Sequence, residues 1–337
     1  MAAATAGWSP QDLGNSIRKK ELYPLYFLYG DDTFLLREAL AELEKMALGE
    51  GLRDFNLNTF YGDEAEGAEL RDAIETLPMM AAARVVVLKE AQSLKEREWD
   101  ALMPLIERPL DSSTLICVAN KIDKRKKYAK RFLENGVVVE FKRPFESQIP
   151  GWIATLAKRR GLRMGAEAVG ALHEIVGSNL ADLDAEVAKL AQYVGEREEA
   201  LVEDVMKAAS RARVDSIFEL TDAIGSDDRA RALTCLANLL DQGQSEVGAL
   251  ALVSRHVRIL KTVSDGMREG LAGQKLGARA GVSPYFLKAY VDQSRRWSDR
   301  KIEQTFRALL DTDRALKSSP VASHIWLENF IIQTCKA

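Results

Sequence analysis

Short apolar runs alternate with stretches of helical periodicity over the first 144 residues, and then the strand pattern stops. Runs rich in Val, Ile, Leu and aromatics at residues 25–29, 55–60, 84–88, 114–118 and 137–141 predict β-strands. Between them, residues 33–48 carry Phe34, Leu35, Ala39, Leu40, Leu43 and Met46 at helical spacing, and residues 67–77, 96–106 and 127–133 read the same way. Strands that alternate with helices predict a parallel sheet covered on both faces. Ser9-Pro10 supplies a cap and a first-turn proline for a leading helix that ends near Lys20.

Beyond Phe141, Lys142-Arg143-Pro144-Phe145-Glu146 followed by Ile149-Pro150-Gly151 reads as a connector, and everything downstream is helical in pattern. Residues 152–158, 166–176, 180–194 and 202–209 predict four helices punctuated by Gly161, Gly177 and Gly195, with Ser178 as the N-cap of the third. A further set begins near Val214: residues 216–224, 229–242, 245–269, 274–280, 284–297, 299–317 and 322–335. No period of 20–50 residues recurs, which excludes a solenoid. The expected organisation is an α/β domain over 1–144, a small helical domain over 145–213 and an all-α domain over 214–337.

Tyr29-Gly30-Asp31-Asp32-Thr33 sits where a strand feeds a helix, the place for a phosphate-binding loop. That loop needs Gly-x-x-x-x-Gly-Lys-[Ser/Thr], because bare backbone wraps the phosphates, an ammonium reaches them and a hydroxyl holds Mg²⁺. Counted from Gly30, the last three places hold Leu35, Leu36 and Arg37. Asp31 and Asp32 suit a helix N-terminus but repel a phosphate there. The acidic strand end that would hold Mg²⁺ falls at Lys89-Glu90, where a cation replaces the needed Asp. Asn120-Lys121-Ile122-Asp123 matches a short guanine-reading pattern, but without a phosphate loop it reads as a polar strand exit into the basic run Lys124-Arg125-Lys126-Lys127. ATP or GTP hydrolysis is not expected, and no cofactor is called for.

Composition narrows the remaining classes. The 337 residues are 47% hydrophobic and 29% charged, no apolar run approaches the roughly 20 residues that span a bilayer, and Met1 to Ser9 lacks a signal pattern. A cytoplasmic protein is expected. Cys117, Cys235 and Cys335 lack metal or disulfide spacing, and His173, His256 and His324 are scattered, so neither metal nor catalytic chemistry is predicted. A net charge of −3 opposes nucleic-acid binding through a large positive field.

Two apolar segments carry other readings. Residues 274–288 resemble a helix-turn-helix, with Gly281 in the turn and Ser283 as cap, so a DNA-binding regulator is the alternative function. Tyr285, Phe286, Leu287, Ala289, Tyr290 and Val291 instead favour packing inside a bundle, leaving Arg295, Arg296 and Trp297 as candidate DNA contacts. Thr76-Leu77-Pro78-Met79-Met80-Ala81 leaves a helix at Pro78 with two adjacent methionines in a connection. These residues either pack under the sheet or form an adaptable apolar plug for a partner groove.

In order and spacing, four stretches resemble the delta subunit family of the bacterial DNA polymerase III clamp loader. They are Pro24-Leu25-Tyr26-Phe27-Leu28-Tyr29-Gly30-Asp31-Asp32-Thr33-Phe34-Leu35-Leu36-Arg37-Glu38, then Leu77-Pro78-Met79-Met80 before Arg84-Val85-Val86-Val87-Leu88, then Ile217-Phe218-Glu219-Leu220-Thr221-Asp222-Ala223-Ile224, and Asp313-Arg314-Ala315-Leu316-Lys317-Ser318. The resemblance implies an AAA+-like first domain without a functional phosphate loop, a lid-like helical domain, and a helical collar. It also implies a non-catalytic subunit of the polymerase holoenzyme that acts in DNA replication without hydrolysing ATP. The implied partners are the beta sliding clamp, which delta grips and opens, the tau/gamma and delta prime subunits through the collar, and primer-template DNA within the complex. The family's plug, usually Leu-Phe, falls here on Met79 and Met80, with Leu77 beside them.

Overall fold

A computed structural model of the chain describes residues 5–49, 53–208, 211–241, 245–318 and 322–335. They form two compact units, Met1–Pro144 and Phe145–Ala337. The first is a sheet of six parallel strands: β1 (Thr5–Trp8), β2 (Leu25–Gly30), β3 (Leu57–Tyr61), β4 (Arg84–Lys89), β5 (Ser113–Ala119) and β6 (Val137–Phe141). Their spatial order is β1-β6-β2-β5-β4-β3. Without the edge strand β1, the five remaining strands run fifth, first, fourth, third, second, which is the AAA+-like order. Helices α1 (Pro10–Arg18), α2 (Thr33–Leu48), α3 (Arg53–Asn56), α4 (Gly67–Glu75), α5 (Glu96–Glu107) and α6 (Lys127–Asn135) complete the unit.

The interior strands are apolar at consecutive positions because both faces of the sheet are covered and successive side chains point to opposite faces. Leu25, Phe27 and Tyr29 of β2 join Val86, Leu88 and Leu115 on one side, against Leu70, Leu102 and Ile106 from α4 and α5. Tyr26 and Leu28 join Val85, Val87 and Ile116 on the other, against Leu13 from α1 and Leu40 and Leu43 from α2. The interior strands β2, β4 and β5 therefore contribute to two cores.

Two expectations for this unit are corrected, and one strand is not among those expected. Phe55 and Asn56 belong to α3, and the strand begins only at Leu57. α4 stops at Glu75, short of 77, because the residue before Pro78 is driven from helical geometry and the Thr76 hydroxyl donates to the Asp72 carbonyl. The edge strand β1 has the composition Thr-Ala-Gly-Trp and no apolar run to announce it.

The second unit contains α7 (Ile149–Arg159), α8 (Ala166–Val176), α9 (Leu180–Val194), α10 (Val202–Ala208), α11 (Arg211–Gly225), α12 (Arg229–Asp241), α13 (Glu246–Arg268), α14 (Gly273–Ala280), α15 (Pro284–Ser294), α16 (Asp299–Ser318) and α17 (Ser323–Thr334). Two residues each of β7 (Arg163–Met164) and β8 (Glu199–Ala200) pair in parallel, a small departure from the all-helical expectation. The expected boundary between 213 and 214 falls within α11, and the expected helix ends Ala209 and Gln242 lie outside the described residues. Asn179, not Ser178, caps α9: its side-chain oxygen accepts from the backbone of Ala181 and Asp182. The Ser178 hydroxyl instead donates to Glu146 at 2.7 Å.

That bond belongs to a polar cluster inside the helical unit. Arg255 on α13 pairs with Glu174 on α8 at 2.9 Å, Glu174 also accepts from the Tyr290 hydroxyl of α15, and Glu146 meets both His173 and Arg255. The hydrogen bond from His173, joined by that from Ser178 and the nearby Arg255 charge, holds the Glu146 carboxyl down to about 2. Beside the cluster, buried His256 donates from Nε2 to Gln293 Oε1 at 2.6 Å and lies against the Phe218 and Tyr290 rings. Burial pulls its imidazole down to about 4, so it is neutral in the fold.

An unfolded His256 takes up a proton near pH 6.5 that the folded one refuses until about 4, so stability falls as pH drops through that window. The expected loss is up to about 3 kcal/mol. Glu146 contributes in a lower window: its share is present above about 4.5 and is lost as pH falls toward about 2. Urea denaturation followed by helical circular dichroism between pH 7 and 4.5 checks this, and His256→Gln is expected to flatten the slope.

Candidate functional site

β2 lies between β6 and β5, so the turn after Gly30 is at the switch point where an open α/β sheet binds a nucleotide. Here the sheet itself fills that role. The amides of Asp31 and Asp32 both donate to the Phe141 carbonyl at the end of β6, at 3.1 and 3.3 Å. Gly30 has φ +148°, and a Cβ there would lie 2.0 Å from that same carbonyl oxygen. The glycine is required by the close approach of β6, not by a phosphate. Asp32 is the N-cap of α2 and accepts from the Leu35 amide at 2.9 Å, placing a carboxylate at the positive end of the helix. Leu36, at the place of the phosphate-loop lysine, is buried in the sheet core, Leu35 packs against that core, and Arg37 points to solvent.

The second phosphate motif carries a cation where an acid would hold Mg²⁺. Lys89 ends β4 with its ammonium 5.7 Å from the centre of the Tyr61 ring, and Glu90 turns out of the strand in the left-handed region at φ 53°. At the strand exit after β5, Asp123 is held by Arg125, whose guanidinium and amide both donate to it. The bidentate contact pulls the Asp123 carboxyl down to about 2. Lys126 of the basic run pairs with Glu96 at 3.0 Å. Among the described residues, no cluster of His, Cys, Asp or Glu is arranged to hold a metal.

The apolar loop after α4 faces outward. Leu77 is 73% exposed, Met79 52% and Met80 86%, which disposes of the reading that they pack under the sheet. Met80 takes φ 54°, a left-handed conformation that costs a residue with a side chain about 1–2 kcal/mol. The support lies in α3, where Asn56, fully buried, accepts from the Met79 amide at 2.6 Å and donates to the Met79 carbonyl at 2.8 Å. Arg84 braces the same segment by donating to the Phe55 carbonyl at 2.9 Å and to Asn58 Oδ1 at 2.6 Å. Phe55, one residue before Asn56, is itself exposed. Neither Asn56 nor Phe55 is legible as part of this site from sequence, since the aromatic run reads as strand.

In the helical unit, Gly281 does form the turn between α14 and α15 in a left-handed conformation. Ser283 begins α15 without capping it, its hydroxyl buried and unpartnered. Phe286 and Tyr290 are buried, and Gln293 is spent on His256, Thr221 and the Phe218 carbonyl, so the face of α15 that would read bases is internal. Trp297 is only 4% exposed and lies against Gly225, so its ring has no face for a base. Arg296 pairs with Asp222 at 2.6 Å, and Arg295 is exposed at the end of α15. The three candidate DNA contacts thus separate into one interior ring, one paired guanidinium and one exposed guanidinium.

The first unit is thus AAA+-like, with its phosphate turn closed by its own sheet and a braced apolar loop on its surface. Comparison with known proteins gives the family. The model of the DNA polymerase III delta subunit matches residues 26–142, and the model of the C-terminal domain of the DNA polymerase III delta subunit matches 214–334. The chain is 27% identical over 335 residues to DNA polymerase III subunit delta of Bacillus subtilis, covering 96% of each. It is 23% identical over 276 residues to a probable DNA polymerase III subunit delta of Aquifex aeolicus, covering 78% of this chain and 77% of that one. A solved Bacillus subtilis DNA clamp loader delta protein superposes with a TM-score of 0.56 at 27% identity, over 97% of this chain and 100% of that one. The chain belongs to the DNA polymerase III delta subunit family.

Because Gly30 is set by contact with Phe141, Gly30→Ala is expected to destabilise the α/β unit by about 2–4 kcal/mol, through steric conflict and a disfavoured φ. Chemical denaturation measures it. A variant as stable as the natural chain would show that the close approach is not a constraint.

Proposed function

We propose that this clamp-loader subunit grips the beta sliding clamp through Leu77, Met79 and Met80, without binding or hydrolysing ATP itself. The observation that carries the reading is an exposed apolar loop, braced from beneath, in a family whose related Bacillus subtilis structure is described as a DNA clamp loader delta protein. Methionine suits such a plug, being unbranched and able to adapt to a groove. The closed turn at Gly30 and the Lys89 side chain support the absence of nucleotide chemistry: the amides and charges that would hold phosphate and Mg²⁺ are used or replaced.

A ring held closed by its own interfaces opens when the loader binds the open or strained form better than the closed one. A plug seated beside a clamp interface supplies that difference in affinity, and partner subunits of the tau/gamma and delta prime kinds supply the ATP chemistry. The helical unit assembles with those partners, and primer-template DNA is engaged within the complex rather than by a recognition helix of this chain.

Met79→Ala combined with Met80→Ala is expected to weaken clamp binding about 10- to 100-fold, the equivalent of losing roughly 1.4–2.8 kcal/mol of apolar burial. Assembly with the other loader subunits should be unchanged. A titration of the sliding clamp and a co-purification of the loader read the two quantities, and unchanged clamp affinity would remove these residues from the site. Labelled ATP is expected not to bind the isolated chain, and saturable micromolar binding would contradict the reading of Gly30 and Lys89.

A further inference from the structure

Met79 is held at both ends of its backbone by one side chain. Its N–H donates to Asn56 Oδ1 at 2.6 Å and its carbonyl accepts from Asn56 Nδ2 at 2.8 Å. The orientation of the Asn56 amide is fixed by chemistry, since only the oxygen accepts and only the nitrogen donates. Asn56 is 0% exposed, whereas the methionine it holds stands mostly in solvent. The two residues are 23 apart in sequence, on α3 and on the loop after α4.

We infer that Asn56 is a positioning residue for the apolar loop: it turns the Met79 backbone inward and thereby presents the Met79 and Met80 side chains in a fixed pose before any partner arrives. This rests on the assignment of that loop as the clamp-binding plug. Three observations converge on it. The paired hydrogen bonds imitate the exchange between two residues of a sheet, so they fix the orientation as well as the place of the Met79 peptide. Met80 stays in the left-handed region despite its side chain, as a residue does when its surroundings over-determine the backbone. The segment carrying Asn56 is itself tethered, because Arg84 at the start of β4 donates to the Phe55 carbonyl and to Asn58 on the two sides of Asn56.

The consequence concerns affinity more than contact. A loop already ordered in its bound form loses less conformational freedom on docking, and flexible methionine side chains gain most from a fixed backbone. The fixed pose offsets the softness of Met-Met.

The test is a double-variant cycle with the sliding clamp as probe. In the full-length chain, Asn56→Ala is expected to weaken clamp binding about tenfold through loss of preorganisation. Added to Met79→Ala/Met80→Ala, it should change affinity no further, because there is no plug left to position. Equal losses in both backgrounds would mean a general structural role and overturn the inference, as would unchanged affinity of a folded Asn56→Ala chain. If Met79→Ala/Met80→Ala alone binds like the natural chain, the plug assignment falls first and this role falls with it. A readout on the natural chain is independent of whether the variant folds: the Met79 amide should be protected from hydrogen exchange although its side chain is exposed. Exchange at the rate of an open loop would overturn the inference.

Discussion

The approach of β6 to the end of β2 is the constraint on which the first unit depends. Phe141 presents its carbonyl to two successive amides, those of Asp31 and Asp32, at a point where only glycine leaves room for it. One contact thereby joins two strands of the sheet, leads into α2 with Asp32 as its cap, and occupies two backbone donors at the place where a phosphate loop would use them. The same geometry that stabilises the fold is what supports the proposal that this unit does without nucleotide. The lysine position is filled by Leu36 in the sheet core, and a carboxylate occupies the helix end where an anion would sit.

The surface proposed to bind the clamp lies elsewhere in the same unit, after α4 and away from the switch point in sequence. It is built from one buried amide, one strand-end guanidinium and a short apolar loop. Apolar residues on a soluble surface are ordinary when scattered and informative when consecutive and held. Here Leu77, Met79 and Met80 are consecutive but for a proline, which itself forbids the helix from continuing over them. The cost of exposing them and of bending Met80 into the left-handed region is sustained by bonds that cross 23 residues of chain.

Much of this is legible in the sequence, and the reasons are physical. Consecutive apolar residues bounded by glycine and proline mark the interior strands, because a sheet covered on both faces needs no alternation. The empty phosphate motif is legible from Leu35, Leu36 and Arg37 alone, and Pro78 with two methionines marks the loop. Less legible are features whose cause is distant. β1 is a strand because β6 offers it an edge, not because Thr-Ala-Gly-Trp favours one. Phe55 reads as strand from its aromatic ring, yet Asn56 beside it is drawn into α3 and bonded to Met79. Trp297 has no local signal separating a stacking ring from a core ring, and Gly225 decides the matter by leaving room for the indole. The apolar face of α15, by contrast, correctly argues against a DNA-reading helix.

The α/β unit is proposed to have exchanged nucleotide chemistry for the presentation of a clamp-binding loop. The most direct measurement is a titration of the sliding clamp into the isolated full-length chain, with and without ATP and Mg²⁺. The account predicts binding in both conditions with the same affinity, since nothing at the Gly30 turn is left to respond to nucleotide. Binding that appears only when ATP is present would contradict it.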